Sequence, residues 1–190
     1  MRIIGGEDAG RRLKGFRGRE IRPTPDRVRE AVFSMLGDAV RGARVLDLFA
    51  GTGAMGLEAL SRGASEIVFV DSSPRSATII RENLNRVGRL EQGRVLRQPA
   101  HIALAGALQG PFHLIFSDPP YRMGMKYLQG IYLSVLERDL LEPGGLLVAE
   151  GPASRQPELR LEGLAPLGRK IYGDTAVDIY RRGGPEEKGE

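Results

Sequence analysis

Cysteine is absent from the 190-residue chain. That excludes a disulfide framework, a thiolate nucleophile and any cysteine-based zinc site. Histidine is nearly absent as well. His101 and His113 are the only two, too few for a histidine-rich metal centre. No apolar run approaches the roughly 20 residues that a membrane span needs. The first residues are polar and glycine-rich, without the charged-then-apolar order of a secretory signal. A soluble, cytoplasmic protein is expected. Lysine is scarce, so arginine supplies nearly all the positive charge. The length is that of one medium domain, enough to bury a core without covalent staples.

What charge imbalance exists lies at one end. Residues 1–22 hold seven basic side chains (Arg2, Arg11, Arg12, Lys14, Arg17, Arg19, Arg22) against three acids, which accounts for the whole net charge of +4. A basic arm on a neutral body suggests a polyanionic partner, with phosphate contacts expected from Arg2, Arg11, Arg12, Lys14, Arg17 and Arg22. The plain alternative is a solvated terminus. Three stretches are expected: an arm or hairpin over 1–22, one domain over 23–183 and a disordered tail over 184–190.

Thr24 and Pro25 read as the N-cap and first residue of a helix. Val28, Ala31, Val32, Met35 and Leu36 then repeat at helical spacing on one face, and Gly37 ends it. Alternation follows. Strands are expected over 44–49, 66–71, 94–97, 112–117 and 146–150. The intervening helices are expected over 54–62, from Ser73-Pro74 to about Val87, over 102–108 and over 126–136. Segments 169–172 and 176–181 flank Gly173-Asp174 as a terminal antiparallel hairpin. Strands alternating with helices imply an α/β, doubly wound, mostly parallel sheet covered on both faces. Ligands in such folds sit at the carboxyl ends of the strands.

Two motifs fall at those ends. In the first, Val45-Leu46-Asp47-Leu48-Phe49-Ala50-Gly51-Thr52-Gly53 closes one strand and opens a helix. Gly51 and Gly53 remove β-carbons where the backbone turns and approaches a ligand. Asp71 ends the next strand, twenty residues after Gly51. An acid there can accept hydrogen bonds from both ribose hydroxyls of an adenosine. Gly51 to Gly56 also satisfies the dinucleotide fingerprint G-x-G-x-x-G, so an NAD enzyme is one reading and a ligand-free turn another. Asp47 favours S-adenosylmethionine, because a carboxylate at the strand end suits an ammonium group and repels a pyrophosphate.

The second motif is Asp118-Pro119-Pro120-Tyr121, after the fourth strand. An exocyclic amine on a nucleobase is a poor nucleophile because its lone pair is delocalised into the ring. Asp118 can accept one N–H and the Pro119 carbonyl the other, drawing the nitrogen toward tetrahedral geometry. The two prolines fix φ and hold that carbonyl still. Tyr121 can stack on the base. This chemistry requires no metal. The alternative is a rigid turn with Tyr121 as ordinary packing.

With these motifs in place the chain resembles the bacterial methyltransferases that modify guanine N2 in small-subunit ribosomal RNA, the RsmD type. The resemblance runs from Met1-Arg2-Ile3-Ile4-Gly5-Gly6 to Tyr172-Gly173-Asp174-Thr175. It is most specific at Arg22-Pro23-Thr24 and over 26–31, 46–53, 58–64 and 118–121. It implies the class I S-adenosylmethionine-dependent methyltransferase fold, with seven strands and the last antiparallel. It also implies S-adenosylmethionine as donor, and ribosomal RNA, naked or in the assembled small subunit, as acceptor. The cofactor set is then Asp47, Phe49, Ala50, Gly51, Thr52, Gly53, Asp71, Ser72, Pro99 and Ala100. Arg22, Thr24, Arg27 and Arg29 would line the site entrance, unless the two later arginines belong to a solvated helix face. One departure concerns adenine: similar proteins carry an acid after the third strand, where this chain has Pro99. Adenine recognition then falls to Gln98 and backbone groups. His113, which replaces an aspartate, is read as structural and His101 as a surface residue. Other readings are a DNA or protein amino-methyltransferase with the same motif and a noncatalytic RNA-binding assembly factor.

Overall fold

The computed structural model describes residues 1–16, 26–154 and 161–184. The Thr24 cap, Pro25, Arg17, Arg19, Arg22 and all of the tail beyond Gly184 lie outside the described residues. The elements are α1 (Asp26–Leu36), β1 (Arg44–Leu48), α2 (Ala54–Ser61), β2 (Glu66–Val70), α3 (Pro74–Val87), β3 (Gly93–Leu96), α4 (Ala100–Ile102), β4 (Phe112–Ser117), α5 (Met125–Glu137), β5 (Leu141–Pro152), β6 (Leu164–Tyr172) and β7 (Thr175–Arg182). Seven strands form one sheet in the order β3-β2-β1-β4-β5-β7-β6. The first five run parallel, and β7 inserts antiparallel between β5 and β6.

Strand order reverses at β1, which pairs with β2 on one side and β4 on the other. A crevice opens where the chain leaves neighbouring strands in opposite directions. Both motifs end at this crevice.

The sheet has an apolar layer on each face because alternate residues of a strand point oppositely. Val45 of β1 packs with Val28, Phe33, Leu57, Phe69 and Phe116 on one face. Leu46 and Leu48 pack with Val70, Leu104, Leu128 and Tyr132 on the other. Each such fully buried aliphatic contributes about 1.5–3 kcal/mol.

Helix α3 matches its sequence signals at both ends. The Ser73 hydroxyl accepts a hydrogen bond from the Ser76 N–H at 3.3 Å, Pro74 opens the helix, and Gly88 leaves it with φ +71°. Helix α1 departs from its expected face. Val28, Val32 and Leu36 are buried, but Arg29 and Phe33 replace Ala31 and Met35, and Met35 is 38% exposed. The cause is Arg29, whose guanidinium donates to the Arg2 carbonyl at 2.6 Å and to Asp26 at 3.0 Å. Both the entrance and the solvated-face readings of Arg29 are therefore corrected, since it is fully buried. Residues 102–108 do not form one α-helix. A short α4 passes into a π-turn over Ala103–Ala107, closed by the Leu108 N–H on the Ala103 carbonyl. Ala103 and Leu104 are packed in the core within this turn. Strands β5 and β6 begin earlier than expected, at Leu141 and Leu164. Pro143-Gly144-Gly145 lies within β5, accommodated by a register shift against β4.

Residues 1–13 form a hairpin bridged at Arg2 and Arg12. It is docked on the body, with Ile3 and Leu13 in the apolar layer. Buried Glu58 of α2 accepts the N–H groups of Ile4 and Gly5, each at 2.8 Å, and Arg62 holds its charge at 2.8 Å. Ser61 donates to the Gly5 carbonyl at 2.6 Å. Gly6 has φ +81°, and a β-carbon there would overlap the Ser61 carbonyl.

Candidate functional site

The glycine loop is held from three sides. The Ala50 N–H donates to the Val70 carbonyl at 3.0 Å, and Gly53 N–H closes a turn on the Ala50 carbonyl at 2.7 Å. Both oxygens of Asp71 are engaged, one accepting from the Gly51 N–H and one from the Ser73 N–H, each at 2.8 Å. Asp71 thus braces the loop, a role its spacing did not reveal. Phe49 sits at φ +64°, a region that disfavours side chains and that concentrates at functional turns. Gly53 has φ +79°, and a β-carbon there would lie 3.2 Å from Phe69 and Ile80. Gly56 serves packing instead. A β-carbon on it would overlap Ile67 and Phe69, so its absence brings α2 close to β2. The third glycine of the fingerprint therefore reports helix–sheet packing.

Asp47 is buried at the end of β1 and accepts the Gly56 N–H at 3.1 Å. Burial pushes its carboxyl up to about 8, against the pull of that N–H, and the charges of Asp118 and Asp71 push the same way. The three acids therefore face one crevice. Without a cation beside it, Asp47 keeps its proton at neutral pH.

Asp118 follows β4, with its N–H directed at the Leu48 carbonyl at 3.5 Å. Beneath it, the hydroxyls of Ser117 and Tyr132 share a buried hydrogen bond of 2.9 Å. Pro119 is buried and Pro120 exposed. The Met123 N–H donates to the Pro120 carbonyl at 2.8 Å, which places Tyr121 at the corner of a turn. Its ring is 48% exposed.

Other expected residues are placed less tightly. Ser72 is exposed beside Asp71, and Thr52 is buried. The Asp71 N–H donates to the Leu96 carbonyl at 3.2 Å, which sets the end of β3 beside it. Pro99 is exposed, and its carbonyl accepts from Ile102 and Ala103 at 3.0 Å each, while Ala100 is buried. The Gln98 Oε1 is buried without a hydrogen-bond partner among the described residues.

In the hairpin, Arg2 faces Asp26 at 3.7 Å, Arg11 faces Asp8 at 3.3 Å and Lys14 faces Glu82 at 2.5 Å. Arg12 is exposed, as is Arg27 at the start of α1. His101 is a surface residue whose Nδ1 lies 3.1 Å from the Tyr127 hydroxyl. His113 accepts the Arg44 N–H at 3.0 Å, at the end of the sheet opposite the crevice.

Sequence reasoning missed two contacts to the loop. Buried Asn83 accepts the Lys14 N–H at 2.7 Å and donates to the Lys14 carbonyl at 3.0 Å and the Thr52 carbonyl at 3.1 Å. Phe16 lies against Gly51, and the Arg75 guanidinium stacks over its ring at 5.2 Å. An asparagine within an amphipathic helix carries no pattern that announces such a bridge.

A family model described as Conserved hypothetical protein 95 matches residues 1–181. Ribosomal RNA small subunit methyltransferase D of Escherichia coli K12 is 34% identical over 199 residues, covering 100% of this chain and 92% of that protein. The chain belongs to the RsmD-type family. YlbH of Bacillus subtilis is 37% identical over 186 residues, covering 97% of this chain and 100% of that protein. The solved structure of Escherichia coli yhhF superposes with a TM-score of 0.86 at 32% identity, covering 97% of this chain and 99% of the other. The RsmD-type chain has the class I methyltransferase fold. The cofactor this membership implies is S-adenosylmethionine, and the residues present fit it. Among the described residues no cation pairs with desolvated Asp47, glycine removes side chains from the loop, and the buried Gln98 Oε1 meets no donor.

Proposed function

We propose that this chain methylates the exocyclic N2 amine of a guanine in small-subunit ribosomal RNA. The observation that supports this most is the meeting of the glycine loop and Asp118-Pro119-Pro120-Tyr121 at the ends of adjacent strands β1 and β4. A relative covering the whole chain carries the name of a small-subunit rRNA methyltransferase. S-adenosylmethionine, when bound, supplies a methyl group activated on a sulfonium.

The chain's own residues position and polarise. Asp47 binds the ammonium of the methionine part, and Asp71 holds the ribose while bracing Gly51. Ala50, Thr52, Gly53 and Phe49 shape the loop around the cofactor, with Ser72, Pro99 and Ala100 beside the nucleoside end. Asp118 and the Pro119 carbonyl accept the two N–H bonds of the amine, and Asp118 takes up the proton released as the nitrogen gains its methyl. Tyr121 stacks on the guanine. Exposed Arg2, Arg11 and Arg12 of the hairpin, with half-buried Lys14 just after it, meet RNA phosphates in competition with Asp26, Asp8 and Glu82. Arg17 and Arg22 extend the same basic stretch in sequence. No helix among the described residues is long and apolar enough to cross a membrane.

The test supplies tritiated S-adenosylmethionine with small subunits, naked small-subunit RNA or duplex DNA, followed by nucleoside identification. Label in N2-methylguanosine is expected. Label in a different nucleoside or in duplex DNA overturns the proposal, and cofactor binding without transfer to any acceptor returns the chain to a noncatalytic role.

A further inference from the structure

Tyr121 is fixed at both ends. Its backbone stands at the corner of the Pro120–Met123 turn, and its hydroxyl lies 2.9 Å from the hydroxyl of Thr175. Thr175 opens β7, opposite Pro152 of β5 and Tyr172 of β6. Parallel strands deliver their last residues to the crevice, and an antiparallel strand delivers its first. The reversed direction of β7 is thus what brings Thr175 to the same edge as the motif after β4. Thr175 is buried at 6% exposure, while the Tyr121 ring it meets is 48% exposed. A buried hydroxyl requires a partner, and here the partner is the hydroxyl at the far tip of the Tyr121 ring.

We propose that Thr175 is a positioning residue, its hydroxyl setting the orientation of the Tyr121 ring for the target base. This rests on the stacking role assigned to Tyr121. Stacking alone requires only a flat ring, which phenylalanine also offers. The phenol oxygen adds a tether that removes rotation about the side-chain bonds before RNA arrives. Ordering one such side chain in advance is worth roughly 3- to 10-fold in transition-state affinity.

The experiment is a double-mutant cycle on methylation of small subunits. It uses Thr175→Val, which keeps shape and loses the hydroxyl, Tyr121→Phe, which keeps the ring and loses the tether, and the two combined. Each single variant is expected to lower kcat/KM roughly 3- to 10-fold, mainly in kcat. The combined variant should be no worse than either, and Thr175→Ser should restore the rate. Cofactor affinity by calorimetry should stay unchanged in all. Losses that multiply in the combined variant, or a silent Tyr121→Phe, overturn the tether. Tyr121→Phe leaves β7 unaltered and removes only the phenol oxygen, so it separates loss of the tether from misfolding of β7. Tyr121→Ala separates the two ideas: wild-type rates there sink the stacking role itself, whereas inactivity there with silent Thr175→Val and Tyr121→Phe sinks the tether alone.

Discussion

Asp47 carries the most perturbed chemistry at the level of single residues. Its folded value of about 8 lies above the ordinary 3.8. The folded chain therefore holds a proton that the unfolded chain releases. This contribution to stability is complete below the ordinary value and is lost as pH rises toward about 8. An ammonium favours the ionised form, so cofactor binding below pH 8 expels a proton. Affinity for S-adenosylmethionine should rise by up to about tenfold per pH unit between roughly pH 6 and 8. Calorimetry in buffers of differing ionisation enthalpy reads the released proton directly. Asp47→Asn should weaken binding and flatten that slope, and an undiminished slope would show that a different group titrates. Tyr121 gives the second residue-scale prediction. Tyr121→Ala should reduce methylation to background while cofactor affinity stays within about twofold.

Elements whose order is local were legible in the sequence, and elements joined by distant polar contacts were not. Strands β1, β2 and β4 are apolar runs because both faces of a parallel sheet are buried. Helix α3 carried its Ser73 cap and Gly88 stop in plain view. Glu58, Asn83 and Arg29 defeat such reading, because a polar residue in a helix looks the same whether it faces water or a hairpin that meets it from far along the chain. The likeness of Met1 to Gly6 and of residues 58–64 to the family now has a physical cause, since these stretches dock on each other. Gly6→Ala tests it. A side chain at φ +81° against the Ser61 carbonyl should cost about 1–3 kcal/mol, lower the melting temperature and raise amide exchange at Ile4 and Gly5. Unchanged exchange would mean that the hairpin is held without that contact. Gly56→Ala should cost a similar ~1–3 kcal/mol by pushing α2 off β2, read as a lowered denaturant midpoint.

For the molecule as a whole, the sheet puts the glycine loop and Asp118-Pro119-Pro120-Tyr121 after neighbouring strands, with the basic hairpin docked on α2. The doubly wound sheet and the placing of both motifs at strand ends followed from the alternation of strands and helices, and the seven-stranded family fold from the resemblance. The residues that tie hairpin to crevice did not, since they are single polar side chains 53 to 69 positions away from their partners. RNA affinity should fall steeply with salt. Replacing Arg11 and Arg12 together by alanine should reduce the slope of log K against log salt by about 0.7–0.9 for each lost phosphate contact. An unchanged slope in filter-binding titrations would move the RNA contact off the hairpin.

The bridge at Asn83 sets an order of events during synthesis. Lys14 leaves the ribosome 69 residues before the side chain that holds it, a lag of roughly 3–14 s at ~5–20 residues per second. Glu58 arrives sooner, but Thr52 and Lys14 are joined only when α3 has emerged. The first part of the chain to be made thus waits for α3 before it is joined to the glycine loop, and a nascent chain halted before Asn83 would carry the hairpin without that link.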